Sequence, residues 1–114
     1  MSASHFRLDN LVALVDCNGI QADGPMVIDM EPVAGKWSAF GWETREIDGN
    51  DMASVVAALD ATRDRSGLPH AIILRTVPGC GVPSLVAREK SHFIRVEPTE
   101  WDALVEELER SEVA

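Results

Sequence analysis

The decapeptide VDCNGIQADG, residues 15–24, ends a short apolar run with two acids, two amides and two glycines. Asn18 brings a side-chain amide oxygen, and Ile20, two residues on, brings a main-chain carbonyl. Both are hard, neutral oxygen donors that suit a magnesium ion, provided a carboxylate, water and phosphate oxygens fill its remaining positions. The same residues also make an ordinary turn, because Asn and Gly tolerate left-handed backbone geometry. Spacing alone leaves both readings open. Two other loops carry polar groups of interest: Asp48-Gly49, and the stretch from Arg75 to Gly81. The two cysteines, Cys17 and Cys80, are far apart with no CxxC spacing, so neither a zinc site nor a disulfide is signalled and both are expected as reduced thiols. Of the three histidines, His5 at the start of the chain and His70 before an apolar run are expected to be structural or solvated.

These loops need strands to hold them. LVALVD (Leu11–Asp16) is a near-continuous apolar run, which predicts a parallel strand buried on both faces. Val33, Trp37 and Phe40 are spaced for a short helix over 31–40, with Gly41 as its stop, and ETREIDG then reads as a second strand closed by an Asp-Gly turn. Asp51 is a suitable N-cap for a helix that buries Met52, Val55, Val56 and Leu59. GLP breaks that helix and HAIILRT (His70–Thr76) supplies a third strand. VPGCGVPSLVAREKS is predicted as a loop, HFIRV as a short extended piece, and a last helix from about Pro98 is predicted to bury Trp101, Leu104, Val105 and Leu108. Alternating strands and helices argue for βαβ units and an open parallel sheet with flanking helices, an α/β fold. In such a sheet a ligand lies beyond the carboxyl ends of the strands, where all three polar loops fall. Three strands make a thin sheet whose edges need cover, which points to a missing neighbour.

Composition narrows the partners. The chain has 114 residues, 46 % hydrophobic and 25 % charged, as one ordinary globular domain would. A net charge of −9 with scattered basic residues disfavours nucleic acid. No apolar run approaches a membrane span, and MSASHFRLDN lacks the layout of a signal peptide, so no membrane association and a cytoplasmic location are expected.

From FRLDNLVALVDCNGIQADGP through EPVAGKWSAFGWETREIDGND to ILRTVPGCGV, about Phe6 to His92, the chain resembles the thiamine diphosphate-binding domain of transketolases, in particular the N-terminal subunit of two-subunit enzymes. The resemblance implies a diphosphate-domain fold that binds thiamine diphosphate through Mg2+. In that family the motif opens with Gly-Asp-Gly and closes at an asparagine some thirty residues later. Asn18 matches that metal-ligating asparagine, and Ile20 matches the residue whose carbonyl also reaches the metal. Gly19 and Gln21 complete the cofactor-binding stretch, with Gln21 either near the thiazolium or capping the turn. His92 lies at the family interval after the third strand and is expected to touch the diphosphate and the reacting sugar, as a catalytic residue. Arg75 stands where the family has a lysine, and Pro78 where it often has another.

No Gly-Asp-Gly occurs in the sequence. The resemblance therefore implies that residues 1–114 form a single partial domain, the C-terminal half of the cofactor-binding unit. A partner subunit carrying the Gly-Asp-Gly half, and a pyrimidine-binding transketolase subunit, would complete a hetero-oligomer. Its implied activity is transfer of a two-carbon ketol unit from a ketose, a phosphorylated sugar or similar small molecule, to an aldehyde or related acceptor, with the chain inactive alone. The alternative is a non-catalytic remnant half-domain that serves as an interaction or scaffold module.

Overall fold

A computed structural model describes residues 1–22, 24–88 and 94–112. The chain divides into two compact units, Met1–Cys17 with Ile28–Thr76, and Asn18–Val27 with Val77–Ala114.

The first unit is built on a parallel sheet of β1 (Val12–Cys17), β4 (Glu43–Asp48) and β5 (His70–Arg75), in the order β1-β5-β4. Register is continuous, with Val12 and Glu43 both opposite His70, and Cys17 and Asp48 both opposite Arg75. Helix α1 (Ser2–His5) precedes β1, α2 (Val33–Ala39) precedes β4, and α3 (Met52–Ala61) joins β4 to β5. On one face Val33 packs with Ala71 and Ile73, and Val15, Cys17, Ala34, Trp37 and Trp42 close around them. Trp37 and Trp42 meet edge to face, ring centroids 4.7 Å apart. Gly41 ends α2 at φ 80°, and a Cβ there would fall 2.2 Å from the Ser4 Oγ, so glycine is required on both counts. Asp51 caps α3 by accepting the Ala53 N–H at 3.0 Å, as predicted.

Two expectations for this unit are corrected. β1 is an edge strand and only half-buried, with Leu14 53 % exposed, whereas the strand buried on both faces is β5, which lies between the other two. Helix α3 turns Ala58 into the protein and leaves Met52, Val56 and Leu59 exposed. Small residues let a helix lie close on a sheet, so Ala58, and not the bulkier stripe, sets its orientation. His70 is buried, as a structural histidine should be, and lines a cavity of about 50 Å³ with room for water.

The second unit holds a two-stranded antiparallel hairpin, β2 (Ile20–Gln21) and β3 (Gly24–Pro25), and helices α4 (Pro83–Val86) and α5 (Trp101–Glu112). The predicted loop over 77–91 thus contains one helical turn, opened by Pro83 at a position where its missing N–H costs nothing. Pro98 lies in a turn before α5, and of the predicted stripe only Leu104 is fully buried. Trp101, Val105 and Leu108 line a shallow apolar groove of about 200 Å³ with Val82, Leu85 and Val96. The Ser84 hydroxyl and N–H both donate to Glu107, tying α4 to α5. Of the predicted extended piece 92–96, residues 94–96 are irregular and His92 and Phe93 lie outside the described residues. Among the described residues no helix is long and apolar enough to cross a membrane.

Candidate functional site

Asn18 follows directly on β1, and its Oδ1 accepts the Ile20 N–H at 3.0 Å, an Asx turn. Gly19 between them sits at φ 72°, the left-handed geometry the turn needs. Ile20 lies opposite Pro25, and Gln21 opposite Gly24. Pro25 has no N–H to donate, so Gln21 and Gly24 form the hydrogen-bonded pair and Ile20 the non-bonded one. Both the N–H and the C=O of Ile20 therefore face the outer edge of the hairpin, the edge that Asn18 Oδ1 occupies. The amide oxygen and the carbonyl named from sequence thus share one edge. The Gln21 Oε1 accepts the Val27 N–H at 3.4 Å, which places Gln21 as a brace across its own turn. His92 lies outside the described residues.

Donor chemistry at this edge fits part of a magnesium shell. Both oxygens are hard and neutral, the kind of donor a magnesium shell accepts. Among the described residues no three His, Cys, Asp or Glu side chains gather as a metal cage.

The ends of β1, β4 and β5 in the first unit carry a network that sequence reasoning missed. Arg75 gives two N–H groups to the Glu31 carboxylate, with Nη2 to Oε2 at 2.9 Å, and its Nε to Glu46 Oε1 at 3.1 Å. Glu31 Oε2 also accepts the Val33 N–H at 3.1 Å, so one carboxylate caps the start of α2 and clamps the end of β5. The Arg75 hydrogen bonds and the Val33 N–H hold the Glu31 carboxyl down to about 2, and the two carboxylates raise the already high Arg75 pKa. Beside them the Thr76 hydroxyl donates to Asp16 Oδ1, joining β5 to β1. Burial raises the Cys17 thiol pKa, which Arg75 opposes, so this thiol is not activated. The sequence signal for the network was charge at the ends of the apolar runs of β1 and β5. Its closure across 44 positions, Glu31 to Arg75, had no local mark.

A family model described as the transketolase, thiamine diphosphate binding domain matches residues 1–109. The chain is 50 % identical over 104 residues to an uncharacterised transketolase family protein of Sinorhizobium fredii, covering 89 % of this chain and 37 % of that protein. It is 36 % identical over 112 residues to a 6-deoxy-6-sulfo-D-fructose transketolase subunit of a Clostridium species, covering 96 % of this chain and 41 % of the subunit. In fold it is similar to a transketolase of Pichia stipitis in complex with sedoheptulose 7-phosphate, with TM-score 0.68 and 21 % identity over 98 % of this chain and 20 % of that one. The chain belongs to the transketolase thiamine diphosphate-binding domain family. It spans about two fifths of the length of these curated relatives.

Proposed function

We propose that the chain is a subunit of a transketolase-like thiamine diphosphate enzyme that moves a two-carbon ketol unit from a ketose donor to an aldehyde or related acceptor. The observation that carries this reading is the common edge presented by the Asn18 amide oxygen and the Ile20 carbonyl, in a chain of this family. Asn18 and Ile20 would hold Mg2+ from one side, and Gly19 makes the turn that aligns them. Gln21 stiffens the hairpin, and His92 serves the polar groups of the substrate. When bound, thiamine diphosphate supplies a nucleophilic carbon for the ketose carbonyl. The protein's own part is to fix the diphosphate end so that the reacting end is oriented.

Residues 1–114 act as one partial domain in this reading. A partner subunit contributes the Gly-Asp-Gly carboxylate, a second contributes the pyrimidine-binding domain, and the three work as a hetero-oligomer on a phosphorylated sugar or similar small molecule. Relatives named as transketolase subunits support it. The test is titration of thiamine diphosphate and magnesium into the assembled complex, wild-type against Asn18→Ala. A large loss of affinity for both is expected, and unchanged affinity removes the ligand assignment. The competing reading, a non-catalytic interaction module, draws on the neutrality of the two donors, and it stands if the wild-type complex takes up no cofactor.

A further inference from the structure

The segment that carries Asn18 and Ile20 leaves the parallel sheet and returns to it beside one residue. It departs after Cys17, the last residue of β1, which lies opposite Arg75 in the ladder. It comes back at Glu31, whose carboxylate takes two N–H groups of that same Arg75, Nη2 to Oε2 at 2.9 Å. Thr76, next in the chain, donates its hydroxyl to Asp16 on the departing limb. Two consecutive side chains thus grip both limbs of a loop over residues 18–30. Burial does little for the returning limb, since residues 25–32 are all exposed, Val27 at 85 % and Ile28 at 73 %. Asp29 accepts the Glu31 N–H at 2.8 Å, and Lys36 Nζ donates to the Met30 carbonyl at 2.7 Å. These contacts are local and shape the limb where it joins α2. Val33 anchors the helix itself in the core. What Arg75 adds is direction, because it draws the exposed residues before α2 onto the end of β5, next to the point where β1 gives way to Asn18.

We propose that Arg75 is a positioning residue: acting through Glu31, it pins the returning limb of this loop beside the departing one, so that the Asn18 amide oxygen and the Ile20 carbonyl are held in place before a metal arrives. The loop closure stands on the contacts above, and its consequence for the metal rests on the subunit reading. A planar guanidinium with two N–H groups on one carboxylate fixes direction as well as distance, which a single contact does not. Arg75 is already spent on carboxylates, so its part is to order the ligands of a cation and not to bind an anion. If the loop were free, only a fraction of chains would present both oxygens at once, and apparent metal affinity would fall by that fraction. Chemistry at saturating metal would be untouched. The signature of a positioning role is therefore a raised metal requirement with turnover retained.

The experiment has two arms. In the first, the full chain without cofactor is digested with thermolysin, and cleavage between Val27 and Ile28 is timed by mass spectrometry in wild-type, Arg75→Met, Glu31→Gln and Glu46→Gln. A protease needs several extended residues on each side of the bond it cuts, and here they include Glu31, so the clamp must open first. Arg75→Met keeps the Val33 cap and Glu31→Gln keeps the guanidinium, so the two share only the broken clamp. Both are expected to be cut at least about tenfold faster than wild-type, and Glu46→Gln, which meets the same guanidinium from β4 and lies on neither limb, within about twofold. In the second arm the assembled complex is assayed against Mg2+. Arg75→Met is expected to raise the half-saturating concentration at least about tenfold with kcat within about twofold. Unchanged loop cleavage overturns the proposal. So does loop cleavage that rises only in step with cuts inside β5, since that reports general stability, and so does a fall in kcat at an unchanged metal requirement. A loop released by Arg75→Met in a chain whose wild-type complex takes up no thiamine diphosphate refutes the enzyme reading and leaves the clamp standing. A complex that binds cofactor, with a loop indifferent to Arg75, does the reverse.

Discussion

Gly49 is the position where a single methyl group tests how tightly the strand ends are joined. It follows β4, and its N–H donates to the Arg75 carbonyl at 2.8 Å, which holds it against the end of β5. A Cβ built there falls 2.5 Å from Thr76 Cγ2, 2.8 Å from Leu74 Cβ and 3.3 Å from the Arg75 carbonyl oxygen. Carbon atoms in contact sit about 3.5 to 4.0 Å apart, so roughly 1 Å of displacement is needed against two side chains anchored on a buried strand. Overpacking of this kind costs about 1 to 3 kcal/mol, and loss of unfolded-state freedom from glycine returns about 0.4 to 1 kcal/mol. Gly49→Ala is therefore expected to destabilise by about 1 to 2 kcal/mol, a fall in Tm on the order of 4 to 8 °C for a chain of this size. Thermal and urea unfolding measure it directly. The clash with Thr76 can be separated from the rest. Thr76→Ser keeps the hydroxyl that bonds Asp16 and removes Cγ2, so the double variant should recover part of the loss, while the Leu74 contact keeps recovery incomplete. If Gly49→Ala unfolds with wild-type, or if serine at 76 restores nothing, the packing of the strand ends has been misread.

Other expectations follow from the same structure. Ile73→Ala empties a side chain that is 0 % exposed, and about 2 to 5 kcal/mol of stability should be lost in denaturant unfolding. Glu31 has a folded-state value of about 2 against an ordinary 4.5, so its contribution is complete above pH 4.5 and lost as pH falls through about 2. Glu31→Gln should flatten the acid limb of stability over that window, as followed by circular dichroism against pH. His92→Ala should lower turnover of the assembled enzyme on the order of 10²-fold with little change in thiamine diphosphate affinity, and the reverse pattern would move His92 out of the substrate's reach. Iodoacetamide should modify exposed Cys80 before half-buried Cys17, as mass spectrometry of partial alkylation would record.

How far each feature could be read in advance follows from the range of its cause. The cap at Asp51, the stop at Gly41 and the turn at Asn18-Gly19 are short-range devices, and each stands where its own residues place it. Strand positions along the chain agree with the apolar runs to within a residue, because β1 and β5 consist of little else. Strand order was not local information. LVALV and AIIL are equally apolar, and only pairing reveals that the second is central and the first an edge. Helix α3 illustrates the same limit: Met52, Val56 and Leu59 have the better apolar spacing, yet Ala58 faces inward. At the site, Asn18 and Ile20 come together because they are two residues apart. The Glu31, Arg75 and Glu46 cluster is assembled from three separate segments, and no periodicity predicts it.

That cluster bears on what the strand ends can hold. The Arg75 guanidinium, at the position where the resemblance implies a lysine, is engaged by two carboxylates, and Asp16 and Asp48 add further negative charge at the ends of β1 and β4. A surface so composed repels a diphosphate. Replacing Arg75 by Lys would not recover a phosphate ligand, since an ammonium between Glu31 and Glu46 is neutralised as fully and loses the planar two-point fit to Glu31. On the proposed subunit reading, in which a partner completes the metal's ligands, assembly and cofactor binding are expected to be linked, each raising the affinity of the other by the same factor.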